Sequence, residues 1–364
     1  MNRILSINPG STSTKFACFE DDRSVFEQSI PFSEEERAAF ATELDQLDRR
    51  FELISEAMKA AALPPGGFDA VVGRGGLLAP IPSGTYAVNE EMERDLREAK
   101  RGTHASNLGG LLALRFASLS HCPAYIVDPV SVDELSDVAR ISGAPEIERT
   151  SLVHALNQKA VARKAAAKLG KRYEDCRFIV AHLGTGVTLG VHLGGRIVDV
   201  SGAKSDGPMS PERAGGLPPD GLIELCFSGR YTQAELRRKL LGGWGLVSYL
   251  GTRDLREIFK MAAADAHARI VLEAFVYQLA KGIGEFAAVL DGDIDAIVVT
   301  GGMAYSQRLM EMLLKKISFL GRVEIFPGED EMEALALGAL RVLRGEERAK
   351  NYPDGRELDL VSLA

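Results

Sequence analysis

Ile4-Leu5-Ser6-Ile7-Asn8-Pro9-Gly10-Ser11-Thr12-Ser13-Thr14-Lys15-Phe16 has a counterpart in mid-chain, Ile179-Val180-Ala181-His182-Leu183-Gly184-Thr185-Gly186-Val187-Thr188-Leu189-Gly190-Val191. Each copy is an apolar run, a tight turn of Gly, Ser and Thr, and a second apolar run. Each then reaches a polar turn (Glu20-Asp21-Asp22-Arg23; Gly194-Gly195-Arg196) and a third strand-like run. Gly and hydroxyl residues between two strand patterns predict a hairpin. Such a turn aims backbone N–H groups and Ser/Thr hydroxyls at one point, which suits phosphate oxygens. Two copies predict two related α/β domains facing each other across a cleft, each holding part of a nucleotide's phosphate chain. The N-terminal turn lacks Gly-Lys-Ser/Thr and opens no helix, so the Walker reading fails.

The 364 residues suffice for two domains, each with a full core. A net charge of −8 argues against nucleic acid or an anionic membrane as the main partner. It leaves an anionic substrate open, because local arginines override the global sign. Cys18, Cys122, Cys176 and Cys226 are isolated, without CxxC or zinc spacing, and read as reduced thiols. The start turns polar before a signal-peptide core could form, and no run of about 18 apolar residues appears. A cytoplasmic protein is expected, with no membrane and no nucleic-acid partner.

Strand and helix patterns alternate. Helical periodicity covers Ser33–Ala62, Glu90–Arg101, Leu108–Leu119, Thr150–Leu169, Asp220–Phe227, Thr232–Leu240, Leu255–Leu290 and Glu331–Arg344. Short buried strands are predicted at Phe68–Gly73, Pro123–Val127, Ala296–Thr300 and Val323–Phe326. This alternation predicts a largely parallel sheet, with ligands beyond the carboxyl ends of its strands. The expected division is residues 1–130 with a C-terminal segment of about 334–364, and residues 131–333 as the nucleotide-binding and dimerisation domain.

Several residues could carry chemistry, each with a plainer alternative. Asn8 with Ser11, Thr12, Ser13, Thr14 and Lys15 could cradle phosphate or simply make a well-formed turn; the second copy at Gly184-Thr185-Gly186 favours the cradle. Gly301-Gly302 after a buried strand could let a nucleotide approach the backbone, although Gly after a strand is commonplace. Arg74, at a strand end before two glycines, could bind a carboxylate or phosphate bidentately, or form a surface ion pair. Asp128 ends an apolar strand, the usual position of a carboxylate that binds Mg²⁺ or orients a nucleophile. His154 lies in a helix-forming apolar string where a satisfied core histidine is the plainer reading, and His182 sits beside the second turn. Glu331 belongs to an acidic run before the last helix, which would also suit the helix dipole.

Together these strings resemble the acetate kinase family, most closely its butyrate kinase and branched-chain fatty acid kinase branch. The resemblance rests on Asn-Pro-Gly-Ser-Thr-Ser-Thr-Lys (8–15), Gly-Arg-Gly-Gly-Leu (73–77), His-Ala-Ser-Asn-Leu-Gly (104–109), His-Leu-Gly-Thr-Gly (182–186), Ser-Pro-Glu-Arg-Ala-Gly-Gly-Leu-Pro (210–218) and Gly-Glu-Asp-Glu-Met-Glu-Ala-Leu-Ala (328–336). They run in family order along nearly the whole chain. The resemblance implies two duplicated ribonuclease H-like domains with an interdomain cleft, the fold of acetate kinase, sugar kinases, Hsp70 and actin. It implies ATP/ADP and Mg²⁺, a carboxylate substrate with its acyl phosphate as product, direct in-line transfer, and a homodimer or larger homo-oligomer.

Carried over residue by residue, Arg74, Asp128, His154 and Arg213 are catalytic. Asn8, Ser11, Ser13, Lys15, His182, Gly184, Thr185, Gly186, Gly301 and Gly302 bind the nucleotide, and Asn8 and Glu331 lie on the metal side. The chain has Pro-Glu-Arg at 211–213 where acetate-specific members carry Gly-Thr-Arg further along, and the spacing after Glu331 is off by one. Val153 and Gly76 stand where those members have larger side chains, which implies room for an acid longer than acetate. An acetate or propionate kinase of the same family, a sugar kinase on the same fold with Asp128 as base, and a non-catalytic ATP-switch protein of the Hsp70 or actin class are the alternatives.

Overall fold

The computed structural model describes residues 1–202 and 206–355; the expected C-terminal segment therefore lies partly outside the described residues. The chain forms two compact units, Met1–Asp133 with Asp330 onward, and Glu134–Glu329.

The first unit holds strands β1 (Arg3–Pro9), β2 (Ser13–Glu20), β3 (Arg23–Pro31), β4 (Ala70–Arg74), β5 (Thr85–Ala87) and β6 (Ala124–Val127), in the order β3-β2-β1-β4-β6-β5. The second holds β7 (Arg177–Leu183), β8 (Val187–Leu193), β9 (Arg196–Ser201), β10 (Ala296–Gly301) and β11 (Val323–Pro327), in the order β11-β10-β7-β8-β9. The duplication read from the two turns extends to topology. In each sheet a meander of three antiparallel strands is extended by two parallel ones, β4 and β6 beside β1, β10 and β11 beside β7. Even the irregularity repeats: the second hairpin slips register at Cys18/Phe19 in one unit and at Val191/His192 in the other. A largely parallel sheet was expected; both sheets are mixed, because two-residue polar turns can join only antiparallel neighbours.

The central strands are buried on both faces, so they read as continuous apolar runs rather than alternating ones. In the second unit Ile179, Ala181, Ile297 and Val299 share a core with Val271, Phe275, Leu279 and Ile283 of the helix Ala266–Val289. Phe178, Val180, Ala296 and Val298 pack with Val161, Ala162 and Ala165 of the helix Ala155–Lys168. Each fully buried aliphatic or aromatic side chain contributes about 1.5–3 kcal/mol. In the first unit Leu5, Ile7, Val71 and Ile126 form a core with the helices Leu47–Ala60 and Asn107–Ser120. The last of these lies so close to β4 that a Cβ on Gly73 would sit 2.0 Å from the Gly109 carbonyl oxygen. Two glycines facing each other allow that approach, and it fixes where β4 delivers Arg74.

Three helices differ from the periodicity. The Ser33–Ala62 pattern divides into Glu34–Ala38, a 3-10 turn at Leu44–Gln46, and Leu47–Ala60, because Asp45 captures both the backbone N–H and the hydroxyl of Thr42. Leu255–Leu290 breaks at Asp265, which is extended and caps the following helix by accepting from the Ala268 N–H at 2.7 Å. The helix expected from Thr150 begins only at Ala155, with His154 at the cap position, so His154 is not inside a helix. Among the described residues no helix is long and apolar enough to cross a membrane.

Candidate functional site

In the first unit three expected residues meet. Asn8 ends β1, Arg74 ends β4, and Glu331 opens the helix Glu331–Leu343 directly after Asp330, whose backbone is left-handed at φ 43°. Arg74 Nη1 lies 3.2 Å from both Glu331 carboxylate oxygens and 3.4 Å from Asn8 Oδ1. Asn8 Nδ2 donates to Glu331 Oε2 at 2.5 Å. The Arg74 and Glu331 side chains retain 21% and 13% exposure, so the group opens to solvent.

Beside it, the β1–β2 turn closes through Gly10 N–H donating to the Ser13 carbonyl at 2.8 Å. Ser11 and Lys15 are exposed there and Ser13 is half-buried. Asp128 directly follows β6, but its Oδ1 accepts from the Gly84 N–H at 2.7 Å and it is only 2% exposed.

In the second unit the other predicted residues gather around the β7–β8 turn. His182 is the register partner of Thr188 across the hairpin. The His154 ring stacks on the His182 ring with centroids 3.9 Å apart and planes 16° apart. The loop carrying Arg213 is tied to the same turn: Ser210 Oγ donates to the Thr185 carbonyl at 2.8 Å and accepts from the Arg213 N–H at 3.0 Å. Gly186 leaves space that the guanidinium occupies, since a Cβ there would lie 2.3 Å from Arg213 Nη1.

That nitrogen is buried and has no hydrogen-bond partner among the described residues. Burial pulls the guanidinium below its ordinary pKa, and neighbouring Glu212 opposes the shift. A buried, unmatched donor costs about 1–3 kcal/mol and more when charged. An anion bound at the turn would remove that cost. Gly301, at φ 91°, exchanges two backbone hydrogen bonds with Gly328 at the end of β10, and a Cβ on Gly302 would meet nothing within 4 Å.

The structure also shows residues the sequence reading passed over. Asn157 Oδ1 accepts from His182 Nδ1 at 2.7 Å, while its Nδ2 donates to the Glu329 carbonyl at 2.9 Å. Gln158 Nε2 donates to Thr188 Oγ1 at 3.1 Å, and Thr188 Oγ1 contacts His154 Nδ1 at 2.8 Å. The signal was present: Asn157 and Gln158 follow His154 by three and four residues, the spacing of one helix face. Arg50 is 0% exposed beneath the first turn, where Nη1 donates to Thr14 Oγ1 at 2.6 Å and to the Ser13 carbonyl at 3.3 Å.

His104 lies near Arg74. Its Nδ1 accepts from the Ser106 N–H at 3.1 Å, and burial, then the Arg74 charge, lower its pKa. Gly76 does not enlarge a pocket: its missing Cβ would lie 2.4 Å from Asn107 Oδ1, so Asn107 already fills the space. Val153 is buried at 3% exposure.

The model of the Acetokinase family matches residues 148–334. Over 354 residues the chain is 48% identical to Butyrate kinase 1 of Clostridium acetobutylicum, covering 97% of this chain and 100% of that protein. The acetate kinase of Porphyromonas gingivalis superposes with a TM-score of 0.77 at 19% identity, covering 94% of this chain and all of that one. The propionate kinase of Francisella tularensis superposes with a TM-score of 0.71 at 18% identity, covering 93% and 99%. These structures establish the fold: two duplicated ribonuclease H-like α/β units of the actin-like kind. Two mixed sheets of the same meander, each with a Gly- and hydroxyl-bearing first turn, thus agree with a relative nearly half identical along its whole length: the chain belongs to the acetokinase family.

Proposed function

We propose that this protein transfers the γ-phosphoryl group of ATP directly to the carboxylate of a short-chain acid, butyrate or a branched analogue such as isobutyrate. The products are an acyl phosphate and ADP, and the same groups serve the reverse reaction that makes ATP. The observation that carries the reading is the buried, unpartnered Nη1 of Arg213 beside Gly186, a cationic donor without an anion at a turn suited to phosphate.

The acceptor carboxylate is already ionised at neutral pH, so no general base is required. The obstacle is repulsion between two anions. Positioned cationic and N–H donors offset it, because they need not reorganise as charge moves onto the equatorial oxygens. Arg213 and the Gly184–Gly186 turn would hold the phosphoryl group, His154 would donate to one of its oxygens, and His182 would stand beside the phosphates. Arg74 would hold the acid's carboxylate, and Asn8 with the Ser11–Lys15 turn would serve the phosphate chain.

Glu331 and Asn8 offer hard oxygen donors, one carboxylate and one carboxamide. That fits Mg²⁺, which is commonly held by one or two carboxylates plus substrate phosphates. Bound there, Mg²⁺ would neutralise phosphate charge. A hydroxyl acceptor would instead need a carboxylate base, and the Asp128 carboxylate is engaged with the Gly84 N–H, which disfavours the sugar kinase reading.

A cavity of about 210 Å³ in the first unit has Leu44, Leu96 and Leu108 in its lining beside Glu43, Arg97 and His104, and those leucines would receive the acyl tail. Each buried methylene contributes about 0.8 kcal/mol, roughly fourfold, so two extra carbons favour butyrate over acetate by about an order of magnitude. A homodimer in a cytoplasmic setting completes the proposal; the exposed Ile270 and Tyr277 on one helix of the second unit supply an apolar face for it.

Hydroxamate trapping of the acyl phosphate with ATP and Mg²⁺, across acetate, propionate, butyrate, isobutyrate and isovalerate, tests the reading. Butyrate or isobutyrate should give the highest kcat/KM. Acetate as best substrate would overturn the chain-length assignment, and no acid-dependent ADP release would overturn the reaction.

A further inference from the structure

Behind the two stacked histidines runs a buried chain of hydrogen bonds that the phosphoryl chemistry does not itself require. Tyr173, His192, Gln158 and Thr188 are 5%, 0%, 0% and 0% exposed. A backbone carbonyl only accepts, so the contact of Gln158 Nε2 with the Thr188 carbonyl at 3.3 Å fixes which way that amide points. Its Oε1 therefore accepts from His192 Nε2–H at 3.2 Å, and His192 Nδ1 is left to accept from the Tyr173 hydroxyl at 2.8 Å. Complete burial, reinforced by the Lys159 charge, keeps His192 neutral, as that pattern demands.

In the other direction Gln158 Nε2 also donates to Thr188 Oγ1. Among the described residues the Thr188 hydroxyl hydrogen then has one acceptor within reach, His154 Nδ1 at 2.8 Å. Pointed anywhere else it would be a buried, unmatched donor at a cost of about 1–3 kcal/mol.

We propose that this relay, with Thr188 as its last member, fixes the tautomer of His154: Nδ1 is bare and the proton sits on Nε2. Thr188 and Gln158 are positioning residues that keep an N–H on the ring nitrogen facing away from the relay. His182 is set the opposite way, because Asn157 Oδ1 accepts from its Nδ1–H. The stacked pair thus consists of two rings held in different tautomers by neighbouring side chains of one helix, Gln158 and Asn157. The tautomer follows from the geometry alone; its effect on turnover rests on the reading of His154 as a hydrogen-bond donor to the phosphoryl group in transfer.

Long-range ¹H–¹⁵N correlation spectra of ¹⁵N-histidine-labelled full-length protein test this, with His154 assigned from the peaks missing in His154→Gln. The expected wild-type pattern is a bare Nδ1 and a protonated Nε2. Thr188→Val, which removes the hydroxyl at nearly constant shape, should abolish that pattern, and Thr188→Ser should restore it. With the pattern lost, kcat should fall on the order of 10- to 100-fold while KM for ATP stays within about threefold, less than the 10²–10³ for losing a whole donor.

A protonated Nδ1 in the wild type, or an unchanged His154 pattern in Thr188→Val, would overturn the relay. The wild-type spectrum alone decides the tautomer if the valine variant fails to fold. A lost pattern with unchanged kcat would leave the relay standing and remove His154 from phosphoryl transfer.

Discussion

Replacing Gly186 by alanine displaces the Arg213 guanidinium without removing it. The backbone of Gly186 is not left-handed, so alanine fits it without strain. The added methyl would lie 2.3 Å from Arg213 Nη1, 2.6 Å from Cζ and 2.9 Å from Nη2. Nη1 must retreat by about 1.1 Å to reach ordinary contact at 3.4 Å. The loop cannot absorb this shift: the Arg213 N–H is bonded to Ser210 Oγ, and its backbone lies so close to Gly245 that a Cβ there would stand 2.7 Å from the Arg213 carbonyl oxygen. The guanidinium itself must therefore swing.

Moving the end of one flexible side chain should cost less than about 1 kcal/mol of stability. A catalytic group misplaced by 1 Å, in contrast, loses about 10² in turnover. Gly186→Ala should therefore lower kcat/KM for butyrate about 10²-fold in the hydroxamate assay and approach Arg213→Ala, while its urea midpoint stays near that of the wild type. Turnover within threefold of wild type, in a protein shown to be folded, would mean that transfer does not occur where this guanidinium points. An activity loss no larger than the loss of folded protein would make Gly186 a matter of packing alone.

Arg74→Ala should lower kcat/KM for the acid by on the order of 10²–10³ with ATP affinity nearly unchanged by calorimetry; near-wild-type turnover would take Arg74 out of the site. Glu331→Gln should raise the Mg²⁺ concentration needed for half-maximal rate, and an unchanged Mg²⁺ titration would assign Glu331 to holding Arg74 only. Arg50→Met removes donors to Gln46, Ser13 and Thr14 in a buried setting and should destabilise the fold by about 2–3 kcal/mol in urea; a loss below about 0.5 kcal/mol would show that the first turn stands without it. Asp95 is held below the ordinary carboxyl range, first by the Tyr352 hydroxyl and then by Arg101. A depressed carboxyl contributes stability above its unfolded value, about 3.9, and loses it as pH falls through the folded value. The destabilisation of Tyr352→Phe should accordingly shrink as pH drops below about 4, and a pH-independent difference would contradict the assignment.

What could be read in the sequence, and what could not, divides along a physical line. The duplication was legible because a strand–turn–strand unit is local: Asn8 to Lys15 and His182 to Thr188 carry their turn chemistry within a few residues. The ends of β4 and β6 were legible for the same reason, an apolar run stopping at Arg74 or Asp128. The partners of those two residues were not, since they lie far along the chain. Arg74 meets Glu331, 257 residues away, whereas the Asp128 carboxylate turns to the Gly84 backbone.

Gly76 shows the same limit from the other side. A missing side chain reads as free volume until the fold brings Asn107 into it. The relay behind His154 was half legible. Periodicity places Asn157 and Gln158 on the face of His154, but in an Ala-rich helix two amides look like solubilising surface residues. Only the pairing of β7 with β8 brings Thr188 into the gap between Gln158 and His154 and gives those amides work inside the protein. Polar residues buried between a helix and a sheet must be satisfied there, and satisfying them is what fixes the two imidazoles. The chemistry of the second unit therefore rests as much on the apolar contacts that seat the helix Ala155–Lys168 against β7 and β10 as on the histidines themselves.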